Sequence, residues 1–496
     1  MKQAMNDRVT DGPRPRRTAR AIEMAGLDDG IVAVDPERLA ELEDRVDGPF
    51  VRPGDEAWPS SIRLWNALAA RVPALVVQPT SAADVAEAIR FARAHRLRLS
   101  IKGGGHNIAG SAIAERGLTL DMSRMRGVEV DPAARLARVG AGCLLGDVDR
   151  ATQAHGLATV LGFFSPVGVA GLTLGGGLGY LTRRFGWTVD NLEEVEMVTA
   201  DGVVRRASRQ DNADLFWAVR GGGGNFGVVT RFTFRLHPVG PAVYGGLIGW
   251  PFERAAEILP GYRALTAAAP LELSAWLMLL RAPHAPFVPP DWQGRRMCAM
   301  SICYTGDLER VDEALAPVRA FGDPIFDLLH EQTYVEIQSY LDCTEPAGQH
   351  YYWKTEFAAE LDDELLATWH ELAAGCPIPE GQLGILHLGG TLGERDADDG
   401  AVGNRDARFA LGALGSWAPD DPDEAAYRAW VADAWSRFRR FSTGGNYVNF
   451  QTADEDEDRV RASYGANHDL LAAIKAAHDP DNLFRANRNI LPRRRG

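Results

Sequence analysis

A chain of 496 residues is too long for a single hydrophobic core and long enough for two or three domains. Its 46% hydrophobic and 24% charged residues are those of a globular protein. The net charge of −14, with basic residues scattered, argues against nucleic acid as the main partner and against an anionic membrane surface.

The first segment, "MKQAMNDRVTDGPRPRRTARAIEM", is polar and basic and has no apolar h-region, so Arg16-Arg17 is not a twin-arginine signal. No signal peptide is expected, and no run of roughly 18 apolar residues predicts a membrane span. Residues 1–45 read as an N-terminal extension with one short helix, Pro36 to Arg45. From Pro73 strands and helices alternate. "ALVVQP" is a predicted strand; "SAADVAEAIRFARAHRL" is a predicted helix with Ser81 and Asp84 in capping-box spacing and Val85, Ile89 and Ala92 at helical period. "RLSI" is the next strand and runs straight into "KGGGHN". "LTLDMS" follows, then a hairpin-like pair around Asp131-Pro132 and a helix in "LLGDVDRATQAHGLAT". Two more glycine-rich segments cover residues 162–179 and 220–236, the latter ending in an alternating strand. Residues 46–240 therefore form one α+β unit with three glycine-rich loops.

Residues 241–440 mix apolar strands ("SAWLMLL", "RMCAMSICY", "ILHLGG") with amphipathic helices ("LERVDEALAPVRAFG", "DELLATWHELAAG", "EAAYRAWVADAWSRFRRF"). That pattern predicts an antiparallel sheet covered by helices on one face. The tail, residues 441–496, carries "GNYVNF", a helix and "DPDNLFRANRNI". The five cysteines, Cys143, Cys298, Cys303, Cys343 and Cys376, have no CxxC or zinc-ligand spacing. They read as buried free thiols in a reduced cytoplasm, with no metal site.

Bare backbone after a strand turns N–H groups toward an oxyanion without Cβ clashes. No GxxxxGK[ST] loop exists. Gly222, Gly224 and Gly227 have the GxGxxG spacing, but a strand follows where the dinucleotide fingerprint needs a helix, so that reading is rejected. What remains is a non-Rossmann diphosphate cradle, or a glycine-rich turn with no ligand. The cradle would use Lys102, Gly103, Gly104, Gly105, Asn107 and Ser111, with the turn from Gly142 to Gly146.

Eight segments, in order and spacing, decide between these. They are "IKGGGHNIAGSAI", "GLTLDMSRMRGVEVDP", "GDVDRATQAHGLAT", "GVAGLTLGGGLGYLTRRFGWTVDNL", "VTADG", "DLFWAVRGGGGNFGVVTRFTFRLHP", "GNYVNF" and "DPDNLFRANRNI". With them the chain resembles the FAD-linked oxidases of the vanillyl-alcohol oxidase type, in the berberine bridge enzyme-like branch. The resemblance implies a two-part PCMH-type FAD-binding domain over residues 46–240. A substrate domain over 241–440 and a C-terminal segment, 441–496, returning to the FAD domain complete the α+β fold. It implies FAD joined covalently to His106, the histidine after the glycine run. Relatives with a second link carry a cysteine where "GFFSPVGVAG" has Phe164, so one covalent bond is expected; Leu172 replaces a histidine common in relatives. Gly168, Val169, Gly171, Gly175, Gly176, Gly177 and Gly179 would line the second side of the cofactor. Asp190, Asn191, Gly227 and Val228 would contact its adenosine or diphosphate end.

The resemblance also makes Tyr447 the catalytic residue and Asn449 a cofactor contact. A phenol has an unperturbed pKa near ~10, so a base role needs neighbours that lower it, and Lys354 is one candidate. "ARFALGALGSW" offers no carboxylate base, which leaves Tyr351, Tyr352 or His387 to share the duty. The implied reaction moves a hydride from a small alcohol, hemiacetal, amine or secondary-metabolite intermediate to flavin N5. O2 then takes the electrons and yields H2O2. Two alternatives stay open: a dehydrogenase with poor O2 reactivity, for which the bulk of Tyr180 argues, and a non-redox flavin-binding cyclase or scaffold, against which "YVNF" argues. The sequence sets no oligomeric state.

Overall fold

The computed structural model describes residues 20–493; Arg16-Arg17 lies outside the described residues. Near the start a hairpin pairs Ile22–Ala25 with Ile31–Val34, an element the short, mixed "IEMA" and "IVAV" runs did not announce. It is docked on the next unit: Ala25 N–H donates to the Arg116 carbonyl and Arg98 N–H to the Ala25 carbonyl. The first helix, Pro36–Glu43, ends two residues before the predicted limit. Met24, Val34, Leu39 and Leu42 belong to the same buried cluster as the strands beyond residue 46, so the extension is part of that core.

Two sheets frame this core. A four-stranded sheet runs in the order Phe50–Val51, Leu75–Val77, Leu118–Asp121, Leu99–Lys102, its last three strands parallel. Helix Ala82–Ala94 makes the crossover, capped by Ser81 Oγ on Asp84 N–H at 3.1 Å. The Asp84 carboxylate turns instead to Asp47 N–H, Gly48 N–H and Thr80, tying the helix start to a distant loop. A five-stranded antiparallel sheet has the order Val204–Ser208, Leu192–Val198, Val228–Arg235, Leu136–Gly140, Val128–Asp131, the last two forming the hairpin at Asp131-Pro132.

The larger antiparallel sheet holds eight strands. Seven run in the order Phe326–Asp327, Ala242–Pro251, Arg296–Tyr304, Leu273–Arg281, Gln382–His387, Phe409–Trp417, His350–Ala358, and His330–Thr333 pairs with the second of them. Strand period sorts its faces. Leu273, Ala275, Leu277 and Leu279 pack under helices Ala255–Ala268, Val311–Arg319, Asp363–Gly375 and Glu424–Phe438. Trp276, Met278 and Leu280 face the other way, into a cavity.

The chain end packs back into the first core through Leu471, Ile474, Leu483, Phe484 and Ile490. Lys475, fully buried, bonds Asp479, the Asn225 carbonyl and the Phe484 carbonyl at 2.7–2.9 Å. Four cysteines are buried, but Cys343 is exposed on a loop, against the expectation that all five are interior. Among the described residues no helix is long and apolar enough to cross a membrane.

Candidate active site

A cavity of about 980 Å³ lies between the first core and the bare face of the eight-stranded sheet, at the upper end for a small-molecule site. The glycine runs edge one side. Strand Leu99–Lys102 delivers Gly103, Gly104 and Gly105, and the loop 162–168, leading into the short helix Val169–Leu174, opposes it. The two loops touch backbone to backbone: a Cβ on Gly104 would collide with Gly168, and a Cβ on Gly168 with Gly104. Bare backbone here is a packing necessity, and it leaves the loop edges open to the cavity. Gly223, Gly224, Asn225, Asn487 and Arg488 line the cavity as well, with Asn487 Oδ1 and Arg488 Nε buried and unpartnered. A long cleft edged by glycine backbone and holding spare polar atoms fits a dinucleotide cofactor.

His106 stands at the end of the first loop. Its ring stacks on Trp65 at 4.9 Å, and Trp65 stacks in turn on Tyr351 at 3.9 Å. Burial pulls the His106 pKa down to about 4, so the imidazole is neutral. Tyr447 is 5% exposed. Its hydroxyl oxygen accepts from Asn449 Nδ2 at 2.8 Å and from Gly177 N–H at 3.0 Å. Its ring lies parallel to Trp187 and edge-on to Phe450. Burial raises the phenol pKa and those two donors oppose the rise, with the net shift upward.

Of the residues singled out from sequence, Gly103, Gly104, Gly105, His106, Asn107, Ser111, Gly168, Gly171, Gly175, Gly227, Val228, Tyr447 and Asn449 line this cavity. Asn107 Oδ1 shapes its own loop by accepting from Ala109 and Ser111 N–H. Asn449 Nδ2 is shared between Tyr447 and the Leu172 carbonyl. The other predicted cofactor contacts stand behind the lining. Lys102 pairs with Asp121 at 3.5 Å in the interior. Gly142 packs on Met122, Gly146 on Ser165, Gly177 on Thr188 and Gly179 on Leu161; Gly176 sits against Val402, and Val169 is buried in the core. Asp190 has a side chain 0% exposed, held by Arg405 at 2.9 Å, and Asn191 Oδ1 contacts His237.

Expectations about the base are corrected at four residues. Lys354 is on the helix-covered side, paired with Asp454 and Glu455, and Tyr352 points the same way with its hydroxyl on Asp454. Tyr351 reaches the cavity, but its hydroxyl is committed to the Pro346 carbonyl. His387 is buried against Arg183, which with burial holds its pKa down at about 2. Tyr180 lies in the layer behind the cavity, stacked on Trp276 and bonded to Ser301 and Tyr340. Sequence reasoning missed Trp65 and Glu345, which come from separate loops with no local pattern, and gave no role to Trp187, which lies within a quoted segment.

Residues 73–208 match the family described as FAD binding domain, and residues 446–491 the family described as berberine and berberine like. An FAD-linked oxidoreductase of Dictyostelium discoideum is 30% identical over 91% of this chain and 96% of its own. The (R)-6-hydroxynicotine oxidase of Paenarthrobacter nicotinovorans is 28% identical over 90% and 97%. Among solved structures, BBE-like 1 of Physcomitrella patens superposes with a TM-score of 0.82 at 23% identity, covering 92% of this chain and all of that one. The chain belongs to the berberine bridge enzyme-like FAD-linked oxidoreductases and is an FAD-dependent oxidoreductase. Its architecture is the mixed helix-and-sheet fold with antiparallel sheets that the resemblance implied.

Proposed function

We propose that this enzyme is an oxidase acting on a small alcohol, hemiacetal, amine or secondary-metabolite intermediate, with O2 as acceptor and H2O2 as product. FAD bound along the glycine-edged cleft supplies the hydride acceptor and the reaction with O2. Residues 46–240 with the returning tail form the cofactor unit, and residues 241–440 the substrate unit. Tyr447 is the observation that carries the reading. Its oxygen sits in the cavity wall with two donors, from Asn449 and Gly177, aimed at it. Donors fixed on a phenol oxygen favour the phenolate, the form that removes a proton from a substrate O–H or N–H, and work against the burial that raises this phenol's pKa. His106, held neutral, has the nucleophilic form needed for a single covalent link to the flavin. Phe164 lines the cavity, and the resemblance aligns it with the cysteine of relatives that carry a second link, which supports a single bond.

The test is acid precipitation of the purified protein followed by peptide mass mapping, with an aerobic peroxide assay. One flavin on the peptide holding His106, and peroxide formed in step with substrate, support the reading. Flavin released to the supernatant removes the covalent role of His106. Turnover that needs an artificial acceptor removes the oxidase.

A further inference from the structure

Glu345 is a carboxyl in the cavity wall that the proposed chemistry leaves idle. Its loop is pinned on three sides. Asp342 accepts from Ser165 N–H and Oγ; the Glu345 carbonyl accepts from Trp65 Nε1 at 2.9 Å; the Pro346 carbonyl accepts from the Tyr351 hydroxyl at 2.6 Å. The side chain lines the same cavity as the aromatic residues Trp65, Tyr351 and Trp353. One carboxyl oxygen accepts from Gln382 Nε2 at 3.2 Å. Burial, with Glu380 nearby, pushes the Glu345 pKa up to about 8 against the Gln382 bond.

Among the described residues, no ion pair involves Glu345 or Glu380. Of the basic residues lining the cavity, Arg281 donates to the Gly294 carbonyl, Arg488 to the Gln451 and Thr452 carbonyls, and His284 contacts Gln293, while His106 is neutral. A half-buried carboxyl with no counter-charge is an incomplete electrostatic pair.

We propose that Glu345, with Glu380 beside it, is the specificity-determining contact for a protonated nitrogen on the substrate. The substrate is then an amine whose apolar body lies on the aromatic wall. Ring contacts at 5.7, 5.4 and 4.8 Å join Trp65, Trp353, Phe450 and Tyr447, and the Glu345 carbonyl bonds the Trp65 end of this row. The proposal sets the cation at the Trp65 end of this row, away from the carbon oxidised beside Tyr447. The inference rests on this cavity being the substrate site of the proposed oxidase. Binding of the cation ionises Glu345 and releases a proton. Affinity rises as pH approaches 8 and falls as the free amine, with a pKa near ~10, loses its charge.

The experiment compares matched probes on the purified holoenzyme: 2-phenylethylamine against 2-phenylethanol, and 4-phenylbutylamine against 4-phenylbutanol. Binding is read by perturbation of the flavin band and by quenching of tryptophan fluorescence at pH 8.5. At least one amine is expected to bind about tenfold tighter than its alcohol, as a direct charge contact predicts. Glu345→Gln, which keeps the hydrogen bond to Gln382, is expected to erase the preference, and Glu345→Asp to keep part of it. Equal affinities within both pairs, a preference that survives in Glu345→Gln, or no amine binding overturns the proposal. A protein that takes up no FAD would remove the oxidase reading, while the fluorescence arm still measures the amine preference.

Discussion

His106 lies nearly flat on Trp65, with planes 17° apart, and Trp65 is itself clamped by Tyr351 with planes 14° apart. The stack fixes the imidazole at the end of the glycine run, and burial keeps it uncharged. His106→Ala is expected to leave Trp65 on Tyr351, to fold, and to bind FAD without a covalent bond. After acid precipitation its yellow colour moves to the supernatant. Colour that stays with the pellet in this variant would show another attachment residue.

Tyr447 makes its ring contacts with Trp187 and Phe450 and its polar contacts through one oxygen. Tyr447→Phe keeps the first set and loses the second. We expect kcat to fall by about 10² to 10⁴, the usual weight of a positioned acid–base group, with little change in Tm. Asn449→Ala removes one of the two donors and is expected to cost less than Tyr447→Phe. A Tyr447→Phe enzyme that keeps its kcat would move proton transfer elsewhere in the cavity.

What could be read from the sequence was local. The strand before the glycine run, the helix capped at Ser81, the hairpin at Asp131-Pro132 and the alternating strand after Gly227 each declare themselves within about a dozen residues. So do the loops that meet at Gly104 and Gly168, although nothing in either said that they touch. The environment of the base was not legible. Whether Lys354 faced Tyr447 depended on strand parity in His350–Ala358, and it fell on the face that packs under the helices. Asp190 reads like a cofactor ligand beside a conspicuous motif, yet Arg405, 215 residues further on, claims it. Glu345 had no signal at all, because its place depends on Trp65, 280 residues away.

The contact between Gly104 and Gly168 leaves no space for a methyl group on either side. Gly104→Ala and Gly168→Ala are each expected to lower stability by about 1–3 kcal/mol, as overpacked sites do, and to reduce the FAD content of the purified protein. Gly127 is the control, since a Cβ there meets nothing within 4 Å. Gly127→Ala is expected to change neither stability by more than about 1 kcal/mol nor FAD content. Urea unfolding and absorbance after denaturation measure both. Equal effects at all three positions would mean that the loops adjust, and that the close approach is not what requires glycine.

His387 tests whether a histidine near the site is an acid–base group or a buried acceptor. It is 5% exposed, and burial and Arg183 hold its pKa at about 2, against an unfolded value near ~6.5. The sign follows from which state binds the proton. Between those values the unfolded chain is protonated at this site and the folded one is not. The contribution of His387 is thus full above pH 6.5 and is lost as pH falls. From pH 7 to pH 5 the loss is about 2 kcal/mol, at ~1.4 kcal/mol per unit below 6.5. His387→Gln keeps an acceptor for Arg183 and does not titrate, so it lacks this loss. Its stability relative to the parent should therefore rise by about 2 kcal/mol on going from pH 7 to pH 5, measured by urea unfolding at each pH. A difference that does not depend on pH would mean that His387 titrates alike in both states. It would then be free to take a proton in the folded enzyme, and its place as a second base would have to be reopened.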